Sequence, residues 1–270
     1  MKRIRIVGLC LVAVFAMSAV MVASASAAAP EYGKCVKQTG GKFKDAGCLT
    51  ASKPGEEKYE WYAAFGSSKP LVHTGFKAHI KEVKEGAATL EGIAGVKVQC
   101  SEQNSTGKFT SNTTVLDENI VFKGCKVEST GKCENTAKEG EITVNNLEGV
   151  LGVEKFGETA AKNKLGDDLT PIGGAPFTEF ECAGSPTKVR GHLISPITTN
   201  KMANKTTVKF TATKGKQKPE QFETSKGVKG PKQILETAFL GSAKYEQSGQ
   251  TLATIQENEG AEKVEANTVN

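Results

Sequence analysis

The chain is short of the residues that usually carry chemistry. It has three histidines, one tryptophan and an aromatic share of 6%, which leaves little for acid–base work, metal ligation or stacking. After the first five residues, Arg190 is the only arginine. Arginine is the residue best suited to bidentate phosphate and base recognition, so its scarcity argues against nucleic-acid partners. No G-x-S-x-G elbow occurs, which removes one route to a serine nucleophile. No C-x2-C pair is present for tetrahedral zinc, and no acidic cluster matches a calcium loop. No solenoid-period repeat is visible. Neither a catalytic nor a cofactor motif emerges, so the expectation is a non-enzyme without a cofactor.

Residues 1–27 read as an export signal. Lys2, Arg3 and Arg5 precede an apolar stretch over 6–22, and Ala25-Ser26-Ala27 supplies the small-x-small site for cleavage after Ala27. A lipoprotein signal does not fit, because Leu9 rather than a small residue precedes Cys10. Past the signal no stretch is apolar enough to span a bilayer as a helix, so a secreted or cell-surface product without a membrane span is expected.

The whole chain is +5, and the signal holds three positive charges and no acid, leaving +2 for the remainder. Lysines alternate with glutamates, as at Lys81-Glu82 and Lys84-Glu85, which is the pattern of a solvated surface.

Six cysteines follow the signal: Cys35, Cys48, Cys100, Cys125, Cys133 and Cys182. An even number in an exported chain predicts disulfides. Six cysteines allow about 15 pairings, so spacing only suggests a choice. Cys35 and Cys48 flank the turn at Gly40-Gly41, and Cys125 and Cys133 flank Ser129-Thr130-Gly131. Those two short loops would leave Cys100 to join Cys182, each at the inward end of an alternating run. All six thiols would then be consumed.

Apolar residues recur with period two. Val96, Val98 and Cys100 share one face against Lys97 and Gln99, while Phe180 and Cys182 oppose Glu179 and Glu181. Such alternation predicts half-buried antiparallel strands, here also over 87–92, 115–122, 141–144, 188–194, 207–212 and 250–255. Turn signals fall at 85–86, 105–107, 129–131, 173–174 and 184–186. The fold class expected is all-β, an antiparallel sandwich or partly open barrel tied by disulfides, with little helix. The one short helix suggested lies at 231–239. The chain divides into a small disulfide-closed segment (28–65), a main β domain (66–214) and a C-terminal β extension packed on it (215–270), with a polar tail that frays.

Few individual residues offer a pattern that chemistry could use. His73 and His79 have no acidic residue at a ligand offset, and His192 reads as an exposed strand residue. Asp167-Asp168 sit in a turn-like context and would face opposite sides of a strand. Glu179 and Glu181 share one face, a spacing that a glycosidase pair could use but that ordinary exposed strands also show. Tyr59 and Trp61 share a face and could stack on a sugar, or form a small core beneath the first disulfide. Sequons at Asn104, Asn112 and Asn204 indicate little without a known host.

Several motifs recur in a known setting: Tyr32-Gly33-Lys34-Cys35, Asp45-Ala46-Gly47-Cys48, Tyr59-Glu60-Trp61, Val98-Gln99-Cys100, Phe122-Lys123-Gly124-Cys125, Phe180-Glu181-Cys182 and the run from Lys214 to Glu223. The chain resembles a lineage-restricted, multi-copy group of exported proteins of unknown function from soil actinobacteria of the Solirubrobacter type. The resemblance implies secretion and paired cysteines, and no activity. The resulting expectation is a secreted non-catalytic β-protein acting at the cell surface or in the medium through binding or envelope structure. Its partner would be an envelope component or glycan. The alternatives are a carbohydrate-binding module on Tyr59 and Trp61, or a glycan hydrolase using Glu179, Glu181 or Asp167-Asp168.

Overall fold

The structure, a computed structural model, describes residues 29–127, 131–198 and 200–268. The expected signal at 1–27 and most of the turn at 129–131 lie outside the described residues. Within them the chain is all-β and antiparallel, with three single-turn 3-10 segments as its only helical elements. Alternation decides the strands as expected: Thr178, Phe180 and Cys182 are buried while Glu179 and Glu181 face solvent.

A small sheet opens the chain. Strand β1 (Glu31–Lys37) pairs with β2 (Tyr59–Ala63), placing Cys35 opposite Trp61. The following strands are β3 (Gly75–Ile80), β4 (Ala88–Gly92), β5 (Lys97–Cys100), β6 (Glu102–Phe109) and β7 (Thr114–Lys123). Next come β8 (Lys126–Val127), β9 (Gly131–Glu134), β10 (Ile142–Val144), β11 (Leu147–Lys155) and β12 (Lys164–Pro171). Then follow β13 (Thr178–Cys182), β14 (Ser185–Gly191), β15 (Leu193–Pro196), β16 (Lys205–Thr213) and β17 (Lys216–Lys218). The chain ends with β18 (Gln221–Ser225), β19 (Val228–Lys232), β20 (Leu235–Ala238), β21 (Glu246–Asn258) and β22 (Glu265–Asn267).

Of the two expected architectures the chain takes the barrel, and it closes it. Pairings run β3–β6–β7–β11–β12–β15 and β16–β21–β3, and the Ile197–Val208 bridge joins the β15 side to β16. Closure leaves these eight strands without a free edge. A second circuit runs β4–β5–β8–β9–β13–β14–β20–β21–β4. Strand β21 belongs to both: residues 248–251 pair with β4, and residues 254–258 pair with β3. The chain passes from one circuit to the other at Ser101, between β5 and β6, and at His192, between β14 and β15.

Five expectations need correction. Residues 215–270 are not an extension, because β21 closes both circuits and β22 pairs with β1. The tail does not fray up to Thr268: Val264, Ala266 and Asn267 are buried. The segment 231–239 is extended rather than helical, since Leu235 and Thr237 point inward with period two and β20 is held between β14 and β21. Residues 105–107 lie inside β6 and Asp167-Asp168 lie inside β12, because ladders on both sides, interrupted only at Ser105 against β7, override their local turn chemistry.

All six cysteines pair, as expected, but only Cys35–Cys48 has the expected partner. The others form Cys100–Cys125 and Cys133–Cys182, with Cα separations of 4.0 and 4.1 Å. Strand pairing, rather than nearness along the chain, chose them. β8 lies against β5, bringing Cys125 beside Cys100, and β9 sets Cys133 directly across from Cys182 on β13. The backbones of Cys125 and Cys133 do meet, N–H to carbonyl at 2.9 Å, yet their side chains go elsewhere. In the Cys35–Cys48 loop, Asp45 accepts backbone N–H bonds from Gly47, Leu49 and Thr50. Against the opposing effect of burial, these donors hold its carboxyl below the ordinary range.

Candidate functional site

Inward-facing side chains leave a cavity of about 210 Å³ inside the barrel. Towards β4, β5, β13 and β20 it is lined largely by apolar side chains, among them Leu90, Val98, Phe122, Phe177, Phe180 and Leu235. Under the small sheet, Tyr32 reaches in from β1. The Tyr32 ring packs edge-on against Phe109 at 4.9 Å between centroids, and Phe109 packs likewise on Phe76. Tyr32 Oη donates to Asp167 Oδ1 at 2.5 Å.

Two carboxyl groups face this space. On β12, Leu165, Asp167 and Leu169 point inward while Asp168 points out. On β7, Val115 and Asp117 point inward, and then Asn119 adopts φ 52 and the register against β6 shifts. That irregularity changes the inward parity, so Ile120 and Phe122 face the cavity beyond it. Asp117 keeps some accessible surface although protein surrounds it, so that surface faces the cavity.

Strand β11 runs between the two acidic strands and carries Gly149 opposite both Val115 and Leu169. A Cβ there would lie 2.6 Å from Val115 Cγ2 and 3.2 Å from Asp167 Cβ. Glycine at this point leaves the volume that Asp167 and its neighbours occupy. Further along β6, opposite Phe122, Gln103 is only 4% exposed, lines the cavity, and has no hydrogen-bond partner for its amide oxygen. A buried amide acceptor left unpaired costs about 1–3 kcal/mol.

The electrostatics follow from enclosure. Burial pushes Asp117 up to about 7, and the nearby Asp167 charge adds to the rise. Burial likewise pushes Asp167 up to about 7; the Tyr32 hydrogen bond opposes this and the Asp168 charge reinforces it. The Tyr32 hydroxyl itself is pushed well above its ordinary value by burial and then by Asp167. Glu265, which also lines the cavity, rises to about 8, chiefly through burial. Among the described residues, no lysine, arginine or histidine lines this space.

The residues singled out from sequence fall elsewhere, with one exception. Asp167 faces the cavity, but Asp168 faces outward and meets His192 Nδ1 at 3.1 Å, so the pair does not act on one space. Glu179 forms an ion pair with Lys188 at 3.2 Å on the outer face of β13, and Glu181 is exposed beside it. Edge atoms of the Trp61 ring lie over Gly33, and its Nε1 is buried without a partner. Tyr59 flanks it on β2, half-buried, opposite Lys37. His73 packs on Gly260, and His79 is exposed on β3. Among the described residues no group of three or more histidine, cysteine or acidic side chains could hold a metal ion. None of their helices is long and apolar enough to cross a membrane.

Tyr32, Gln103 and Asp117 were missed from sequence. Asp117 and Asp167 did carry a signal: each is an acid on the apolar parity of its strand, in Val115-Leu116-Asp117 and in Leu165-Gly166-Asp167-Asp168-Leu169. Gln103 carried no such signal, since its i±2 neighbours are Ser101 and Ser105. No protein-family model, curated protein or solved structure matches this chain.

Proposed function

We propose that this chain is an exported, non-catalytic binding protein that encloses a small molecule inside its barrel. The carrying observation is the cavity of about 210 Å³, walled mainly by apolar side chains with Tyr32, Asp117 and Asp167 among its polar lining groups. Ligand sites have this composition, mostly apolar with few polar anchors, and the mouths and interiors of β-barrels are frequent places for them. Three disulfides fit an oxidising location outside the cytoplasm, at the cell surface or in the medium. The resemblance to exported actinobacterial proteins supports the same placement.

The other readings have less support. A sugar platform on Tyr59 and Trp61 would need a ring face free for stacking, whereas Trp61 packs over Gly33. A glycan hydrolase would need two carboxyls in one space reachable by substrate, and Glu179 is engaged by Lys188.

Titration of the purified protein with 1-hexanol, read by thermal unfolding, tests the binding reading. A saturable rise in the melting midpoint is expected. Ala78 lines the cavity, so Ala78→Phe should abolish that rise. No rise in the wild-type protein, or an equal rise in the variant, contradicts the reading.

A further inference from the structure

We infer that the outer face of β3, β21, β16 and β17 docks a linear, phosphate-linked polymer of the cell envelope, held through its charge. This face lies outside the barrel and owes nothing to the cavity.

Folding sorts the lysines that the sequence interleaves with glutamates. Lys77, His79 and Lys81 point outward along β3 and just past it, away from the cavity-lining Ala78. On β16, Lys205, Thr207, Lys209, Thr211 and Thr213 take the outward parity, while Val208 and Phe210 line the cavity. Thr211 and Thr213 lie across from Lys218 and Lys216 on β17, both exposed. Between β16 and β3, strand β21 turns Ala253, Ile255 and Glu257 outward. These positions hold six lysines and one acid, a net +5, whereas the whole chain after the signal is only +2.

Register leaves most of these lysines without an opposing acid. Lys209 and Lys81 flank Ala253, and Lys205 and Lys77 flank Glu257. With strands about 4.8 Å apart and a rise of about 3.4 Å per residue, these four lysines stand at the corners of a rectangle of about 10 by 13 Å. Among the described residues, only Lys205 of the six has an ion-pair partner, Glu257 at 3.0 Å. The second circuit is built differently. There Glu179 faces Lys188, Glu236 faces Arg190 and Glu91 faces Lys97, and each pair is bridged. Opposed charges neutralise a sheet face, whereas unopposed lysines leave a positive potential for an outside anion. Acids at the border are already engaged: Glu82 by Lys84 at 2.7 Å and Glu118 by Lys108 at 3.9 Å. Beyond β17, Lys155 and Lys229 line a groove with Glu154, Glu220 and Glu223. Glu220 meets Lys232 at 3.7 Å, Glu223 accepts the Phe156 N–H, and burial raises Glu154 to about 7.

The face also selects the kind of anion. Lysine offers a compact point charge rather than the planar fork that reads bases, so it responds to charge density. Exposed Thr211 and Thr213 add hydroxyl donors for phosphate oxygens. No phenylalanine, tyrosine or tryptophan stands at these outward positions to stack on bases. None of the exposed large apolar side chains lies among them to anchor in a bilayer. Cations spread over neighbouring strands suit repeated charges on one flexible chain.

The experiment titrates poly(glycerol phosphate) into the full, oxidised protein by calorimetry, beside single-stranded DNA and phosphatidylglycerol vesicles. The polymer should bind at about 50 mM salt and at least about tenfold more weakly at about 200 mM, through counterion release. Lys209→Gln, Lys216→Gln and Lys218→Gln together should weaken binding at least about tenfold. Lys97→Gln, Lys132→Gln and Lys188→Gln together remove the same charge from the second circuit and should leave the affinity within about twofold. The salt series uses the wild-type protein alone and needs no substitution. Equal losses in the two variants would mean that overall charge acts without a docking face, and would overturn the proposal. Tighter binding of DNA or vesicles would overturn the choice of partner. Absence of polymer binding at about 50 mM salt, or binding indifferent to salt, would refute the proposal and leave the cavity reading untouched.

Discussion

Tyr32 and Asp167, 135 residues apart in sequence, share a 2.5 Å hydrogen bond that ties the small N-terminal sheet to the barrel wall. The phenol donates, and the carboxylate oxygen accepts in a site closed to bulk water. Tyr32→Phe would keep the packing on Phe109 and remove only this donor. Leaving the buried carboxyl short of a partner should cost about 1–3 kcal/mol. Urea unfolding at about pH 8 should record that loss, and at about pH 5, where Asp167 is neutral, the loss should shrink. An equal loss at both pH values would mean that the hydroxyl acts through packing alone.

The buried acids set a pH profile with a definite sign. Asp117 and Asp167 titrate near 7 in the fold, against an ordinary value of 3.8. A carboxyl raised by folding contributes stability that is complete below the ordinary value and disappears as pH rises through the folded value. Glu265, raised to about 8, acts in the same direction up to higher pH. Asp45 and Glu262 are lowered and act oppositely, losing their contribution in acid. Thermal midpoints should therefore fall between about pH 5 and about pH 8. Asp117→Asn should flatten the slope and raise stability at about pH 8 by on the order of a few kcal/mol. A midpoint that climbs steadily across this range would contradict the assignment.

Gly149→Ala should destabilise the barrel. The added methyl would meet Val115 Cγ2 at 2.6 Å and Leu169 Cδ2 at 2.9 Å, both on packed strands that flank β11. Overpacking of this kind costs about 1–3 kcal/mol. That corresponds to a fall of about 2–4 °C in midpoint for each kcal/mol in a chain of this size. An unchanged midpoint would mean that this wall yields more readily than its contacts suggest.

Digestion without reduction should release peptides joined through Cys100–Cys125 and Cys133–Cys182, with Cys35–Cys48 as the third pair. On the chain-entropy model the loops of 25 and 49 residues contribute about 3.5 and about 4 kcal/mol. Replacing Cys133 and Cys182 together by serine should therefore lower the denaturation midpoint more than replacing Cys100 and Cys125. A Cys125–Cys133 peptide would overturn the connectivity.

The strand content was legible because period two needs only local information, as in Val96-Lys97-Val98-Gln99-Cys100. Closure was not, because it depends on the second half of β21 meeting β3 and on the Ile197–Val208 bridge, neither of which leaves a local mark. Disulfide partners failed for the same reason: Cys125 and Cys133 flank a turn, but lateral neighbours on β5 and β13 claim their side chains. The site was half legible. Asp167 stood out as an acid between Leu165 and Leu169, but its turn-like surroundings suggested a loop. The signal at Asp117 was fainter, because the irregularity at Asn119 breaks the alternation beyond it. Tyr32 joins the site only through a contact made from a different sheet.

The proposed binding function depends on the barrel interior being a space that a molecule can occupy. Crystals pressurised with xenon address this directly, since xenon enters apolar protein cavities without needing a polar anchor. Density among Leu90, Phe122, Phe177 and Leu235 is the predicted result. An interior without density, with side chains collapsed into it, would contradict the account.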